Sequence, residues 1–98
     1  MPLRIDPELN EIRALEAVTN WNSLQVLEIG CGDGRLTQRL AELGASVHAI
    51  DPDAALVRKA RKALPNGLAG RVRFKAGSAE RLAHPNEAFD AVIFAWAL

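Results

Sequence analysis

The sequence predicts a single α/β domain, residues 1–98, with a parallel sheet of about four strands in the order 3-2-1-4 and helices mainly on one face. Segments with helical and with strand patterns alternate along the chain. The strand segments are almost continuously apolar, which is typical of parallel strands buried on both faces. A glycine-rich turn also joins the first strand to the next helix, where the backbone needs positive φ angles.

The first half of the chain contains two predicted helices around one strand. Asp6 is a good N-cap, and apolar residues at helical spacing predict a helix from there to about Thr19. A strand follows at residues 25–29. After the glycine turn, a helix is predicted at residues 35–43, and Gly44 ends it as a typical C-terminal stop.

The second half continues the alternation. Its predicted elements are a strand at 46–50, a helix at 53–63 with Asp53 as its cap, a strand at 72–75, a helical turn at 79–83 and a strand at 89–95. Right-handed crossovers place the first three strands in a row and return the fourth to the other side of the first. Ligands bind at such a switch point, outside the carboxyl ends of the strands.

Composition excludes several classes of partner. Twelve basic and twelve acidic residues give no net field to attract nucleic acid or an anionic membrane. No apolar run approaches the roughly 20 residues of a membrane span, and the N-terminus lacks the apolar core of a signal peptide. Cys31 stands alone, which fits a reducing compartment. We therefore expect a cytoplasmic protein.

The glycine turn leaves two ligand classes to compare. Its glycines alternate with other residues, at Gly30, Gly32 and Gly34. A dinucleotide-binding turn needs a small third residue where this chain has Arg35. Asp33 inside the turn and Glu28 before it would repel a diphosphate. The two carboxylates instead suit a ligand with positive charge, such as one with an ammonium and a sulfonium group.

Residues at the ends of three predicted strands converge on one place. These are residues 30–34, Asp51 and residues 77–80. Asp51 lies 21 residues after Gly30, where its carboxylate could accept both hydroxyls of a ribose or cap the next helix. Because Asp53 can serve as the cap, the ligand role is favoured.

The glycine turn and the segments that converge on it resemble the motifs of a known enzyme family. Residues 26–34 look like motif I of the class I S-adenosylmethionine-dependent methyltransferases, and the match continues through Asp51, residues 77–82 and residues 89–98. The four pieces appear in the family's order and spacing. The resemblance implies a Rossmann-like sheet, S-adenosylmethionine as the cofactor, and methyl transfer as the activity of an intact enzyme.

The resemblance also implies roles for single residues. Glu28 would lie near the methionine end of the cofactor, although a hydrogen-bonding role toward the glycine loop is the alternative. Pro52 would face the adenine, and Ser78 stands where the family often has an acid, which weakens adenine recognition. The predicted cofactor-binding residues are Glu28, Gly30, Cys31, Gly32, Asp33, Gly34, Asp51, Pro52, Ser78 and Ala79.

Catalytic and metal-binding residues are not assigned. Cys31 is interpreted as small filler rather than a nucleophile, because no histidine or aspartate lies at an interpretable spacing. His48 and His84 have no partner at metal-binding spacing, so no metal site is expected. The basic run at residues 58–62 is interpreted as the solvated face of a helix.

The chain ends at Leu98, directly after the fourth predicted strand and before the family's acceptor motifs. One hypothesis is therefore the cofactor-binding half of a methyltransferase, truncated relative to the full fold. The alternatives are a module that binds the cofactor without turnover and a self-associating protein that keeps the fold. The acceptor substrate is not identified by this sequence.

Truncation also predicts self-association, most simply as a homodimer. With helices on one face only, half the apolar side chains of residues 26–29 and 89–95 would face water. The fourth strand would also be an unguarded edge. A two-fold dimer would cover both surfaces.

Overall fold

The computed structural model describes residues 3–5, 19–77 and 89–95. Its strands and helices are β1 (Leu3–Ile5), β2 (Gln25–Ile29), α1 (Arg35–Glu42), β3 (Ser46–Asp51), α2 (Ala54–Ala63), a 3₁₀ helix (Asn66–Arg71), β4 (Val72–Ala76) and β5 (Ala91–Phe94). Residues 6–18 of the predicted first helix, and the predicted turn at 79–83, lie outside the described residues.

The strands form one parallel sheet in the order β1-β5-β2-β3-β4. The predicted order 3-2-1-4 is confirmed by the four strands β4, β3, β2 and β5. β1 adds a fifth strand, which the sequence analysis did not predict. Its three residues are too few to show a strand pattern, and the charged Arg4 interrupts them.

Local signals place both helices as predicted. The Asp53 side chain accepts hydrogen bonds from the backbone N–H groups of Ala55 and Leu56, at 2.9 and 3.2 Å, and so caps α2. α1 ends at Glu42 with Leu43 as its C-cap, and Gly44 follows with a φ of 97°. A positive φ at this position is the usual reason for glycine after a helix.

The main core lies between the sheet and the two helices. Val26, Val47 and Ile93 point from β2, β3 and β5 toward Leu40 of α1 and Val57 of α2, and all five side chains are buried. α1 and α2 therefore cover the same face of the sheet, as the crossover argument predicts.

The face of the sheet opposite α1 and α2 is also apolar and buried, contrary to one prediction. Leu27, Ile50 and Val92 form a second apolar cluster there, and they are only 1%, 4% and 3% exposed. His48 lies on this face, where its ring meets Phe89 edge-on with centroids 5.1 Å apart. The prediction that half the apolar side chains of these strands face water is therefore wrong.

The prediction of a bare edge at the fourth strand is also wrong. β1 pairs with β5 in parallel, with Leu3 opposite Ala91 and Ile5 opposite Ile93. β5 thus has a neighbour on both sides, because β2 pairs with its other edge. In the part of the chain that the structure describes, no helix has the length and apolar character to cross a lipid bilayer.

Candidate functional site

A pocket of about 400 Å³ opens at the carboxyl ends of β2, β3 and β5. Chain order reverses here, because β3 follows β2 on one side while β5 returns on the other. The pocket is therefore at the predicted switch point. Its lining residues are Glu28, Gly30, Cys31, Gly32, Asp33, Arg35, Leu36, Asp51, Leu56 and Ala95.

The glycine turn is anchored to β3. The backbone N–H groups of Gly30 and Cys31 both donate to the carbonyl oxygen of Ile50, at 2.8 and 3.0 Å. Gly30 and Gly32 have φ angles of 82° and 55°, which L side chains rarely adopt. These bonds and angles hold the turn as one wall of the pocket.

Gly34 lies in closer packing than Gly32, where an added Cβ would meet nothing within 4 Å. A Cβ atom on Gly34 would lie 2.9 Å from the Cβ of Ala60 and 3.4 Å from the ring of Phe74. This glycine therefore permits the close approach of the turn to α2. It lines a separate cavity of about 150 Å³ beside both helices and is not in the wall of the main pocket.

Asp51 ends β3 and is 8% exposed. Its Oδ2 accepts the N–H of Gly32 at 2.9 Å, and its Oδ1 accepts the N–H of Asp53 at 2.8 Å. A carboxylate oxygen has more than one lone pair, so each oxygen keeps acceptor capacity. Asp51 can therefore accept two further hydroxyl groups from the pocket side, while Asp53 provides the helix cap.

Glu28 lies on β2 with no exposed surface. The Thr37 hydroxyl donates to its Oε1, and its Oε2 has no partner among the described residues. Burial raises the pKa of Glu28 to about 8; the Thr37 hydrogen bond acts against this rise, and the charge of Asp51 adds to it. The carboxyl therefore holds a proton at neutral pH.

The remaining pocket groups are a thiol and an ion pair. Burial raises the pKa of the Cys31 thiol to about 12, and the charges of Glu28 and Asp51 add to the rise. Cys31 thus stays a thiol at neutral pH, a state that gives no support to a nucleophilic role. At the rim, the Arg35 Nε donates to Asp33 at 3.1 Å.

The structure brings most of the predicted site residues together. Glu28, Gly30, Cys31, Gly32, Asp33 and Asp51 line the pocket, whereas Gly34 does not. Pro52 is exposed and also lies outside the pocket wall. Ser78 and Ala79 are outside the described residues.

Sequence reasoning missed several pocket neighbours. Ala95 follows β5 at the switch point, so the topology could have indicated it. Leu56 is three residues after the Asp53 cap, in the first turn of α2. Thr37 is the buried polar residue of α1. It lies three and four residues before Leu40 and Ala41, a spacing that indicates the buried face of the helix.

Comparison with known proteins agrees with this architecture. The model of the methyltransferase domain family matches residues 26–98. The chain belongs to this family. The resemblance noted from the motifs is therefore confirmed for this methyltransferase domain.

Curated relatives are considerably longer than this domain. It is 38% identical over 78 residues to a ubiquinone biosynthesis O-methyltransferase from Chelativorans sp., a match that covers 79% of this chain and 30% of the relative. It is 39% identical over 75 residues to the mitochondrial protein of that name from Rattus norvegicus, covering 74% and 22%. The chain thus spans less than a third of these relatives.

Solved structures confirm the Rossmann-like fold. A magnesium protoporphyrin IX methyltransferase from Synechocystis PCC 6803 with bound S-adenosylhomocysteine has a TM-score of 0.72 at 29% identity, covering 85% of this chain and 37% of that one. An RNA methyltransferase from Salinibacter ruber with the same ligand has a TM-score of 0.72 at 26% identity, covering 85% and 55%. The names of these two proteins indicate different methyl acceptors. The shared fold therefore does not identify the acceptor of this chain.

Proposed function

We propose that this methyltransferase domain binds S-adenosylmethionine in the pocket and forms the cofactor-binding part of a methyltransferase. The observation that carries the proposal is the position of Asp51. Its buried carboxylate is held by the N–H groups of Gly32 and Asp53 and keeps acceptor capacity toward the pocket. A vicinal diol such as that of a ribose matches two such oxygens.

The rest of the pocket supports one orientation of the cofactor. With the ribose on Asp51, the methionine end lies over the glycine turn, beside Glu28, and the adenine lies on the Pro52 side. The turn presents backbone atoms without side chains at Gly30 and Gly32, which permits close approach. Two of the similar solved structures contain bound S-adenosylhomocysteine, which supports a cofactor of this class but gives no orientation.

Charge favours a cationic ligand over a dinucleotide. The described lining contains Asp33, Asp51 and the protonated Glu28, and its single cation, Arg35, is bonded to Asp33. A diphosphate would meet acidic groups with no free cation to balance it. A sulfonium and an ammonium group would be attracted.

The test is calorimetric titration with S-adenosylmethionine and S-adenosylhomocysteine. Asp51→Asn removes the charge of the ribose acceptor, and hydrogen bonds to charged groups contribute about 1.5–3 kcal/mol. We therefore expect affinity to fall roughly ten- to a hundredfold. Glu42→Gln, a charge change on an exposed residue of α1, is the matched control. Equal binding by Asp51→Asn and the control would refute the ribose assignment.

Binding without turnover by this chain is the second candidate. The chain covers 30% of the Chelativorans protein, and none of the described pocket residues is assigned to an acceptor. Methyl transfer requires an acceptor held in line with the activated methyl group, and the acceptor of this protein is not identified.

We also propose a cytoplasmic location. Cys31 is a buried free thiol, which fits a reducing compartment. One relative is named as mitochondrial, so cell fractionation with an antibody against this chain is the appropriate test. Recovery of the protein in an organelle fraction would contradict the proposal.

A further inference from the structure

Glu28 is the one buried carboxyl group of the pocket that lacks a full set of partners. Its Oε1 accepts the Thr37 hydroxyl, while Oε2 has no hydrogen-bond partner among the described residues. The side chain has no exposed surface, yet it lines the pocket. An unpaired carboxylate in such a position is costly, whereas the neutral acid is tolerated.

Among the described residues that neighbour Glu28 or line the same pocket, none compensates a negative charge on this carboxyl group. β3 contributes Ala49 and, at its end, the acidic Asp51, and β5 contributes the apolar Ile93. The glycine turn contributes Cys31, a thiol at neutral pH, and Asp33. α1 contributes the neutral Thr37 and the Arg35 that pairs with Asp33, and α2 contributes Leu56.

A cationic ligand would change this balance. An ammonium group that reaches Oε2 supplies the missing charge partner and favours the carboxylate form. The ligand would therefore stabilise a state of Glu28 that the protein alone does not hold at neutral pH.

We propose that the pocket takes up the ammonium end of S-adenosylmethionine together with the loss of a proton from Glu28, so that cofactor binding and proton release are coupled. The inference rests on the proposed function. The step is balanced: the carboxylic acid and the ligand ammonium become a carboxylate–ammonium pair, and one proton passes to the solvent.

The coupling gives affinity a definite dependence on pH. Below the raised pKa of Glu28, about 8, each ligand bound releases nearly one proton. The affinity should then rise about tenfold per pH unit between roughly pH 5.5 and 7. The rise should stop near pH 8, where the ligand-free carboxyl ionises and the α-amino group of the ligand begins to lose its own proton.

The experiment is calorimetry with S-adenosylhomocysteine near pH 6.5 in buffers that differ in ionisation enthalpy. Wild type should release about one proton per ligand, and Glu28→Gln should release almost none and bind with little dependence on pH. Glu42→Gln, a change on an exposed residue of α1 outside the pocket lining, is the matched control and should keep the proton release. As a second ligand, 5′-methylthioadenosine keeps the nucleoside, lacks the amino acid, and should bind without proton release.

Three results would overturn the coupling. These are equal proton release by wild type and Glu28→Gln, pH-independent affinity of wild type, and titration of the ¹³C-labelled Glu28 carboxyl near its ordinary pKa of 4.5 without ligand. Each of them leaves the proposed function intact if S-adenosylhomocysteine still binds. Absence of binding at every pH would refute the proposed function and this inference with it.

Discussion

Glu28 occupies the central strand of the sheet, between Ala49 on β3 and Ile93 on β5. Both neighbours are apolar, and the nearest polar group is the Thr37 hydroxyl on α1. This surrounding removes water from the carboxyl and opposes its ionisation. Glu28 is therefore a neutral carboxylic acid in the folded protein near pH 7.

The raised pKa makes folding stability fall as pH rises. In the unfolded chain the carboxyl ionises near 4.5, whereas in the folded chain it ionises near 8. Its stabilising contribution is complete below the lower value and is lost as pH rises through the higher one. Glu28→Gln lacks this titration. Relative to wild type, the variant should gain about 1.4 kcal/mol of unfolding free energy per pH unit between roughly pH 5 and 7.5.

Urea denaturation of both proteins at several pH values measures this difference. Other titrating groups affect wild type and variant alike, so they cancel in the comparison. Glu42→Gln, on an exposed position of α1, is the control for the loss of one carboxyl group without a change inside the pocket. A constant difference between wild type and Glu28→Gln across the range would contradict the prediction.

At the scale of elements, the packing of the glycine turn against α2 depends on Gly34. Its φ of 85° is unfavourable for other residues, and an added Cβ would meet Ala60 at 2.9 Å. Gly34→Ala should therefore lower the unfolding free energy by about 1–3 kcal/mol.

Gly70→Ala is the matched control for this substitution. A Cβ on Gly70 would meet nothing within 4 Å, and its φ is not in the left-handed region. The control should unfold at nearly the wild-type urea concentration. If both variants behaved alike, the close contact between the turn and α2 would have no energetic importance.

The elements themselves were largely predictable because their signals are local. The Asp53 cap, the Gly44 stop and the apolar run of β2 each depend on a few adjacent residues. β1 could not be predicted, since its three residues become a strand only by pairing with β5. The interaction that forms it is between residues almost the whole chain apart.

At the scale of the whole molecule, self-association remains a prediction. Two of the surfaces expected to drive it, the second face of the sheet and the edge of β5, are covered in the structure. The second face is buried, and β5 is an inner strand. The edge at β4 carries Arg73 and Lys75, and Arg61 donates to the Phe74 carbonyl oxygen at 2.7 Å. Charged side chains of this kind oppose pairing between strand edges.

A route to a dimer that the described residues leave open is the edge at β1, beyond which the sheet has no further strand in this part of the chain. Sedimentation equilibrium at several concentrations should then detect a species heavier than the 10.6 kDa chain. A 10.6 kDa species at every concentration would contradict self-association.

Activity is a second property at this scale. We expect the 98-residue chain alone to transfer no methyl group above background to generic acceptors. The reason is that acceptor positioning is needed for the reaction, and the chain covers only 30% of a curated relative. Production of S-adenosylhomocysteine by the purified chain, and its loss in Asp51→Asn, would contradict this expectation.

The sequence alone determined the order of the strands, the two helices that follow β2 and β3, and the meeting of Asp51 and the glycine turn at one end of the sheet. These features follow from hydrophobic pattern, caps and crossover handedness, which act over short stretches of chain. Only the tertiary structure decided the protonation of Glu28, the contact of Gly34 with Ala60, and the burial of the second face. Desolvation and steric contact depend on residues that are distant in the chain, so no local pattern contains them.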